Sequence, residues 1–145
     1  PNGDIDLGDV TSVLEYAFYK RKEILSITAK HATTIGNAAF NGLTKLTEIH
    51  LPRATSMPQA FLGDCSSLTM LYLPSAISSY NYAVSGCTSL HTAIFCELKT
   101  AWSAVFNNCR LLKTLVLGNS AVCNCTDVNS FNNTPFASGG SGGDI

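Results

Sequence analysis

Six cysteines and three histidines are the residues of this 145-residue chain whose chemistry suits metal binding or nucleophilic catalysis. Cysteines build a zinc site or a disulfide framework when they occur in close pairs at suitable spacings. Cys123-x-Cys125 is one close pair, but no second pair accompanies it. Cys65, Cys87 and Cys109 instead recur every 22 residues, which is the spacing of a structural period and not of a metal site.

The histidines and the acidic opening segment do not form a recognisable site either. His31, His50 and His91 have no acid or nucleophile at a shared spacing, so no acid–base or nucleophilic arrangement is predicted. The segment from Asn2 to Asp9 has some likeness to a calcium loop, but it lacks the ligand spacing of such a loop, and an exposed acidic turn is favoured. We predict no catalytic residue, no metal and no cofactor.

Composition excludes two classes of partner. The chain is 46% hydrophobic and only 13% charged, with a net charge of −1. The one basic cluster, at residues 20–22, is followed at once by Glu23, so we expect a solvated turn and no nucleic-acid binding. No stretch approaches the roughly 20 apolar residues of a membrane span. The chain opens on Pro1, without Met or a signal peptide, so we expect it to belong to a longer protein.

A 22-residue period organises almost the whole chain. Three apolar columns advance by 22 residues and together spell L-x-x-L-x-L, the alternation of a short strand with one buried face. Their members are Ile24, Leu46, Leu68, Leu90 and Leu112 in the first column, Ile27, Ile49, Leu71, Ala93 and Leu115 in the second, and Ala29, Leu51, Leu73, Phe95 and Leu117 in the third. One unit cannot bury its own apolar face, so the period predicts stacked coils.

Other positions of the unit follow the same period. Phe18, Phe40 and Phe106 belong to a bulky column, and Asn41-Gly42 is one of several turn pairs that precede the next strand. Five full coils run from about residue 18 to residue 128, preceded by a partial one. We therefore predict a solenoid domain over residues 1–131 and a Gly/Ser-rich tail or linker over residues 132–145.

The unit resembles the BspA-like leucine-rich repeat, which reads roughly A-F-x-x-C-x-x-L-x-x-I-x-L-P-x-x-V-x-x-I-G. The residues that carry the resemblance are Ala39-Phe40-Asn41-Gly42, Leu46-x-x-Ile49-x-Leu51-Pro52 and Ile35-Gly36. The resemblance covers about residues 5–131 and implies a curved, right-handed leucine-rich-repeat solenoid of about six coils. It further implies a parallel sheet on the concave side, short turn or extended segments on the convex side, and a bacterial protein, often secreted or surface-exposed and engaged in adhesion.

The 22-residue period predicts a structural role for most of the cysteines. Cys65, Cys87 and Cys109 occupy a position where Leu43 also occurs, so we expect buried free thiols. Cys123 falls on the inward column of Ile35 and Met57, a column that Ser79 interrupts. Cys96 replaces the proline that follows two earlier strands, and Cys125 lies in a less regular coil, so the period does not decide whether these two are free.

A binding site, if present, is expected among the outward strand positions on the concave side. We predict it at Glu48, His50, Met70, Tyr72, Ile94 and Val116, where an aromatic and aliphatic stripe is of the kind that marks a partner surface. The predicted function is a non-catalytic module that binds a protein or host-surface ligand. The alternative is a structural spacer or display scaffold, since the same residue types simply suit strands. Neither end has an obvious polar cap, so we expect the ends to fray or to pair with another copy.

Overall fold

The structure is a computed structural model that describes residues 3–101, 103–117 and 124–125. Two short strands recur in every coil. The longer strands are β1 (Asp4–Asp6), β3 (Ser26–Thr28), β5 (Glu48–His50), β7 (Met70–Tyr72), β9 (Thr92–Phe95) and β11 (Thr114–Leu117). The shorter strands are β2 (Ser12–Val13), β4 (Thr34–Ile35), β6 (Ser56–Met57), β8 (Ser78–Ser79), β10 (Thr100–Ala101) and β12 (Asn124–Cys125). Stacking of these coils gives a β-solenoid of about five turns, which confirms the predicted architecture.

All strand pairs are parallel, and nearly all keep the 22-residue register. Ile27, for example, pairs with Ile5 on one side and Ile49 on the other. The longer strands form two separate three-stranded sheets, β1-β3-β5 and β7-β9-β11, rather than the single sheet that the resemblance implies. The shorter strands divide likewise, into β2-β4 and β6-β8-β10-β12.

The inward columns form one continuous core. Leu46, Leu68 and Leu90 are fully buried, as are the predicted thiols of Cys65, Cys87 and Cys109. The bulky column begins with Phe18 and Phe40, whose rings stack with their centroids 5.8 Å apart. Because equivalent residues of successive coils lie above one another, each coil depends on its neighbours for burial of its apolar face.

Five successive coils in the described part of the chain each contain two left-handed backbone positions. The first column, predicted from the turn pairs, holds Lys20, Gly42, Asp64, Gly86 and Asn108, with φ between 57° and 79°. The second column holds Tyr16, Ala38, Ala60, Tyr82 and Ala104, with φ between 51° and 58°. The sequence pattern did not predict the second column, because alanine and tyrosine are not turn residues. The inter-coil hydrogen bonds of the following residues hold the chain there, as in Phe40 N–H to Phe61 C=O at 2.9 Å.

Two further positions depart from the simple period. Ser79 is fully buried in its inward column, and its hydroxyl has no hydrogen-bond partner within the described part of the chain. At the other end, the backbone of Cys125 pairs with Ala101, a separation of 24 residues. The prediction that Cys123 follows Ala101 in this column is therefore wrong, because the last coil is two residues longer. Cys123 itself, like the tail over residues 132–145, lies outside the described residues.

Candidate binding surface

The outward side chains of the longer strands form a surface that we call the long-strand face. It consists of two columns, the first and the third residues of each strand, because alternate side chains of a strand point to opposite sides of the sheet. The six predicted site residues all lie on this face. Ile49 and Leu71, which stand between them, point into the core. This is the face that the repeat pattern predicts on the concave side.

The centre of the long-strand face is apolar. Met70 and Tyr72 are each about half exposed, at 49% and 50%, and Val116 is 41% exposed. The strand register sets Ile94 between Tyr72 and Val116, so these three side chains make one strip across β7, β9 and β11. Exposed aromatic and aliphatic side chains in a contiguous strip are typical of protein-binding surfaces.

The first half of the face is polar and has its own internal contacts. Glu48 Oε2 lies 3.7 Å from His50 Nε2. One coil further from the strip, the Ser26 hydroxyl donates to Asp4 Oδ1 at 2.7 Å. The face therefore changes from acidic and polar at β1 to apolar at β11, and His50 and Tyr72 are neighbours where the two parts meet.

This boundary coincides with the interruption between the two sheets. Elsewhere the residue after a longer strand donates its N–H to the next coil, as in Leu73 N–H to Ile94 C=O at 3.0 Å. The corresponding bond from Leu51 N–H to Tyr72 C=O is missing. The bond that would join Thr69 N–H to Thr47 C=O is missing as well, although His91 N–H makes the equivalent bond to Thr69 C=O at 2.9 Å.

Two clefts open at the interruption. The larger, of about 560 Å³, is lined by Thr28, Lys30, His50, Leu51, Pro52 and Tyr72. The smaller, of about 380 Å³, is lined by Thr47, Glu48, Ile49, His50, Thr69, Met70 and Tyr72. Both volumes are within the range of roughly 300–1,000 Å³ that is usual for ligand sites. The structure thus joins four of the six predicted residues, Glu48, His50, Met70 and Tyr72, into one pair of clefts, whereas Ile94 and Val116 lie on the strip beside them.

The histidines do not converge on one site, but each has a local polar neighbour. His31 Nε2 lies 3.8 Å from Asp9 Oδ1, and His91 Nδ1 lies 2.9 Å from the hydroxyl of Thr92. The sequence-based statement that no acid shares a spacing with them is wrong for His31, since Asp9 precedes it by one 22-residue period. It is also wrong for His50, which follows Glu48 on the same side of β5. The three histidines, Asp9 and Glu48 are exposed, and Thr92 is partly buried.

Three cysteines form a ladder of buried thiols. Each donates its S–H to a carbonyl of the preceding coil: Cys65 to Phe40 at 3.2 Å, Cys87 to Leu62 at 3.1 Å and Cys109 to Val84 at 3.3 Å. Hydrogen bonding with the Cys65 side chain, together with burial, raises the pKa of Cys87 well above its usual value. Burial raises the pKa of Cys109 to about 12. Since the thiolate is the reactive and metal-binding form, these two residues serve as core and not as nucleophiles.

The described residues offer few other features that would indicate a reactive site, a metal site or a membrane span. Cys96 is an exposed free thiol. Residues 3–101, 103–117 and 124–125 contain no group of three or more His, Cys, Asp or Glu side chains placed to hold a metal ion. Over the same ranges, no helix has the length and apolar character required to cross a membrane.

Several solved structures match the fold of this chain at low sequence identity. A leucine-rich cell surface protein from Faecalibacterium prausnitzii superposes with a TM-score of 0.78 at 20% identity, over 82% of this chain and 33% of its own. The pneumococcal vaccine antigen PcpA gives 0.74 at 15% identity, over 90% of this chain and 34% of its own. The Treponema pallidum leucine-rich repeat protein gives 0.64 at 23% identity, over 81% and 70%. The chain thus spans about a third of the length of the first two.

The family assignment comes from the repeat itself. No curated protein matches the chain. The family model of the BspA-type leucine-rich repeat region matches residues 11–136 in six copies, in agreement with the 22-residue unit. The stacked coils, the buried columns and this match agree with one another, and the chain belongs to the BspA-type leucine-rich repeat family.

Proposed function

We propose that this chain is a non-catalytic module that binds a protein ligand through the long-strand face, with Tyr72 at the centre of the contact. The observation that supports this most is the position of Tyr72, which is half exposed and lines both clefts. Aromatic side chains next to a concavity are over-represented among the residues that dominate the energy of protein interfaces. Met70 adds an adaptable apolar contact on the same strand.

We further propose that the module belongs to a larger bacterial protein that is secreted or displayed on the cell surface, where the ligand is a host or surface protein. Support comes from the repeat family and from two structural relatives, which are described as a cell surface protein and a vaccine antigen. The chain spans about a third of each of those proteins.

The test is a double substitution on the long-strand face. Binding of the purified chain to an array of purified secreted and cell-surface proteins identifies a partner, and Tyr72→Ala with Ile94→Asp is then compared with the unmodified chain. Losing one central aromatic side chain typically costs about 2 kcal/mol or more, and a new charge in the strip adds to this, so we expect binding to weaken at least about 30-fold.

A matched pair of substitutions outside the long-strand face provides the control. Tyr82 and Ile77 are exposed to a similar degree, at 48% and 45%. The column of Tyr82 accepts alanine in three other coils, and the column of Ile77 holds threonine in three others. Tyr82→Ala with Ile77→Asp should leave binding within about threefold. If both folded variants bind every partner as the unmodified chain does, the long-strand face is not the binding site. If the unmodified chain binds no protein of the array, the spacer alternative is favoured.

Self-association of the ends remains a separate proposal. The first coil exposes Val10 and Leu14, at 40% and 77%, which are apolar groups that another coil would cover. A pairing of this kind would leave the long-strand face accessible, so it does not compete with ligand binding.

A further inference from the structure

Another cavity lies away from the long-strand face, beside the residues that follow the shorter strands. Its volume is about 340 Å³, and its lining residues are Asn37, Pro58, Gln59, Tyr80 and Asn81. None of them lines either of the two clefts around Tyr72. The volume is in the lower part of the range of roughly 300–1,000 Å³ that is usual for ligand sites.

The period places these lining residues in two adjacent columns. The position directly after a shorter strand supplies Pro58 and Tyr80. The next position supplies three amide side chains, which we call the amide column: Asn37, Gln59 and Asn81. Backbone bonds between the coils hold these positions in register, as in Ala60 N–H to Asn81 C=O at 3.2 Å. At the usual spacing of paired chains, the amide column is roughly 10 Å long.

The amide column has hydrogen-bonding groups that the described residues leave unused. Asn37 Oδ1 accepts from Gln59 N–H at 3.2 Å, and Asn81 Oδ1 accepts from Ser103 N–H at 3.1 Å. The NH₂ groups of Asn37 and Asn81 form no hydrogen bond within the part of the chain that the structure describes, and neither does the side-chain amide of Gln59. Each NH₂ group has two donor hydrogens. The cavity therefore offers several donors together with the acceptor oxygen of Gln59.

The other column adds two rings to the same cavity. Tyr80 is 46% exposed, whereas Pro58 is buried, so the tyrosine forms a wall of the cavity and the proline its floor. The face of an aromatic ring carries negative potential, which attracts polarised C–H groups. Tyr80 thus offers an apolar packing surface next to the amides.

The lining of the cavity carries no charge. Asn37, Pro58, Gln59, Tyr80 and Asn81 are all neutral side chains. One coil before Asn37, the same column holds Glu15, which does not line the cavity. An anionic ligand would find no cation among these side chains, so the lining favours a neutral ligand that is rich in hydrogen-bonding groups.

We propose that this cavity binds a neutral glycan, independently of the long-strand face. A sugar ring has an apolar C–H face that packs against Tyr80. Its hydroxyl oxygens accept from the NH₂ groups of Asn37 and Asn81, and a hydroxyl donates to the side-chain oxygen of Gln59. The length of the amide column matches a short oligosaccharide that runs across the coils. A protein segment offers no comparable density of hydroxyl groups to the aligned amides.

The test exposes the purified chain to an array of neutral oligosaccharides of glucose, galactose, mannose and N-acetylglucosamine, with sialylated and sulfated oligosaccharides beside them. A neutral oligosaccharide that binds is then titrated by calorimetry. Tyr80→Ala should weaken its binding at least about tenfold, because the packing surface is lost. Gln59→Ala should weaken it about threefold to tenfold, the usual effect of losing one or two hydrogen bonds. Gln59→Ala removes no side-chain hydrogen bond of the described chain, so it tests the site even if Tyr80→Ala does not fold.

Tyr82→Ala is the matched control for Tyr80→Ala. Tyr82 is exposed to a similar degree, at 48%, but does not line the cavity. Its variant should bind the oligosaccharide within about twofold of the unmodified chain. In NMR spectra, the side-chain NH₂ signals of Asn37, Gln59 and Asn81 should shift on titration. The signal of Asn41, which donates to Ala60 C=O at 3.2 Å, should stay in place.

Three results would overturn the inference. The first is that no neutral oligosaccharide binds, or that only sialylated or sulfated ones do. The second is that a neutral oligosaccharide binds but neither Gln59→Ala nor folded Tyr80→Ala weakens it, which would place its site elsewhere. The third is that Tyr80→Ala weakens a protein partner while no oligosaccharide binds, which would assign the cavity to a protein contact. None of these results bears on Tyr72, so the proposed function is tested separately.

Discussion

Replacement of Leu68 by alanine should lower the free energy of unfolding by about 2–5 kcal/mol. Leu68 is fully buried and stacks between Leu46 and Leu90, which are also fully buried. The substitution leaves a cavity that neither neighbouring coil can fill, because the inter-coil hydrogen bonds fix the spacing of the stack. Chemical denaturation followed by circular dichroism measures the change.

Leu14→Ala is the matched control for Leu68→Ala. It removes the same atoms from a side chain that is 77% exposed, so the free energy of unfolding should change by less than about 0.5 kcal/mol. Similar losses for the two variants would contradict the assignment of the first apolar column to the core.

Replacement of Gly36 by alanine should destabilise the chain by about 3 kcal/mol, at the upper end of the usual effect of overpacking. A Cβ at this position would lie within 2.6 Å of the backbone atoms of Leu14 and Glu15. The close approach is held by the hydrogen bond from Gly36 N–H to Val13 C=O at 2.8 Å. Since these contacts are with backbone, no change of side-chain rotamer can relieve them. Thermal unfolding of the purified variant tests the expectation.

Gly8→Ala is the control for Gly36→Ala, because it measures the cost of a left-handed backbone conformation without a steric clash. Gly8 has a positive φ of 54°, but nothing lies within 4 Å of the Cβ that would be added. Its alanine variant should lose only about 1–2 kcal/mol, the usual cost of a left-handed conformation. If Gly36→Ala unfolds at the temperature of the unmodified chain, the first two coils do not pack as closely as described.

The columns of the solenoid could be predicted from the period because burial repeats with it. Leu68 and Cys87 are assigned to the core by their spacing alone, and both are fully buried. The outward positions follow from strand alternation, so the placement of Tyr72 and Val116 on the long-strand face could also be predicted. The role of these residues in binding stays a prediction, since it depends on a partner and not on the fold.

No feature of the sequence predicts the interruption of the sheet between β5 and β7. Leu51-Pro52 and Leu73-Pro74 are identical dipeptides at equivalent positions, yet only Leu73 bonds its N–H to the next coil. Because the local sequence is the same at both positions, no local pattern distinguishes the open ladder from the closed one. The clefts at this interruption, and the part that Lys30 and Thr69 take in lining them, could therefore not be predicted either. The requirement for glycine at position 36 could not be predicted from the period either. Pro58 and Tyr80 occupy the equivalent position in later coils, so this position is not a glycine column.

The most direct measurement of the central claim, that the long-strand face binds the ligand around Tyr72, is site-specific photocrosslinking. p-Benzoylphenylalanine is placed at position 72 in one sample and at position 82 in another, both exposed tyrosines in the unmodified chain. With the array partner present at saturation, the probe at position 72 should crosslink to it and the probe at position 82 should not. Crosslinking from position 82 alone, with the complex intact in both samples, would contradict the claim.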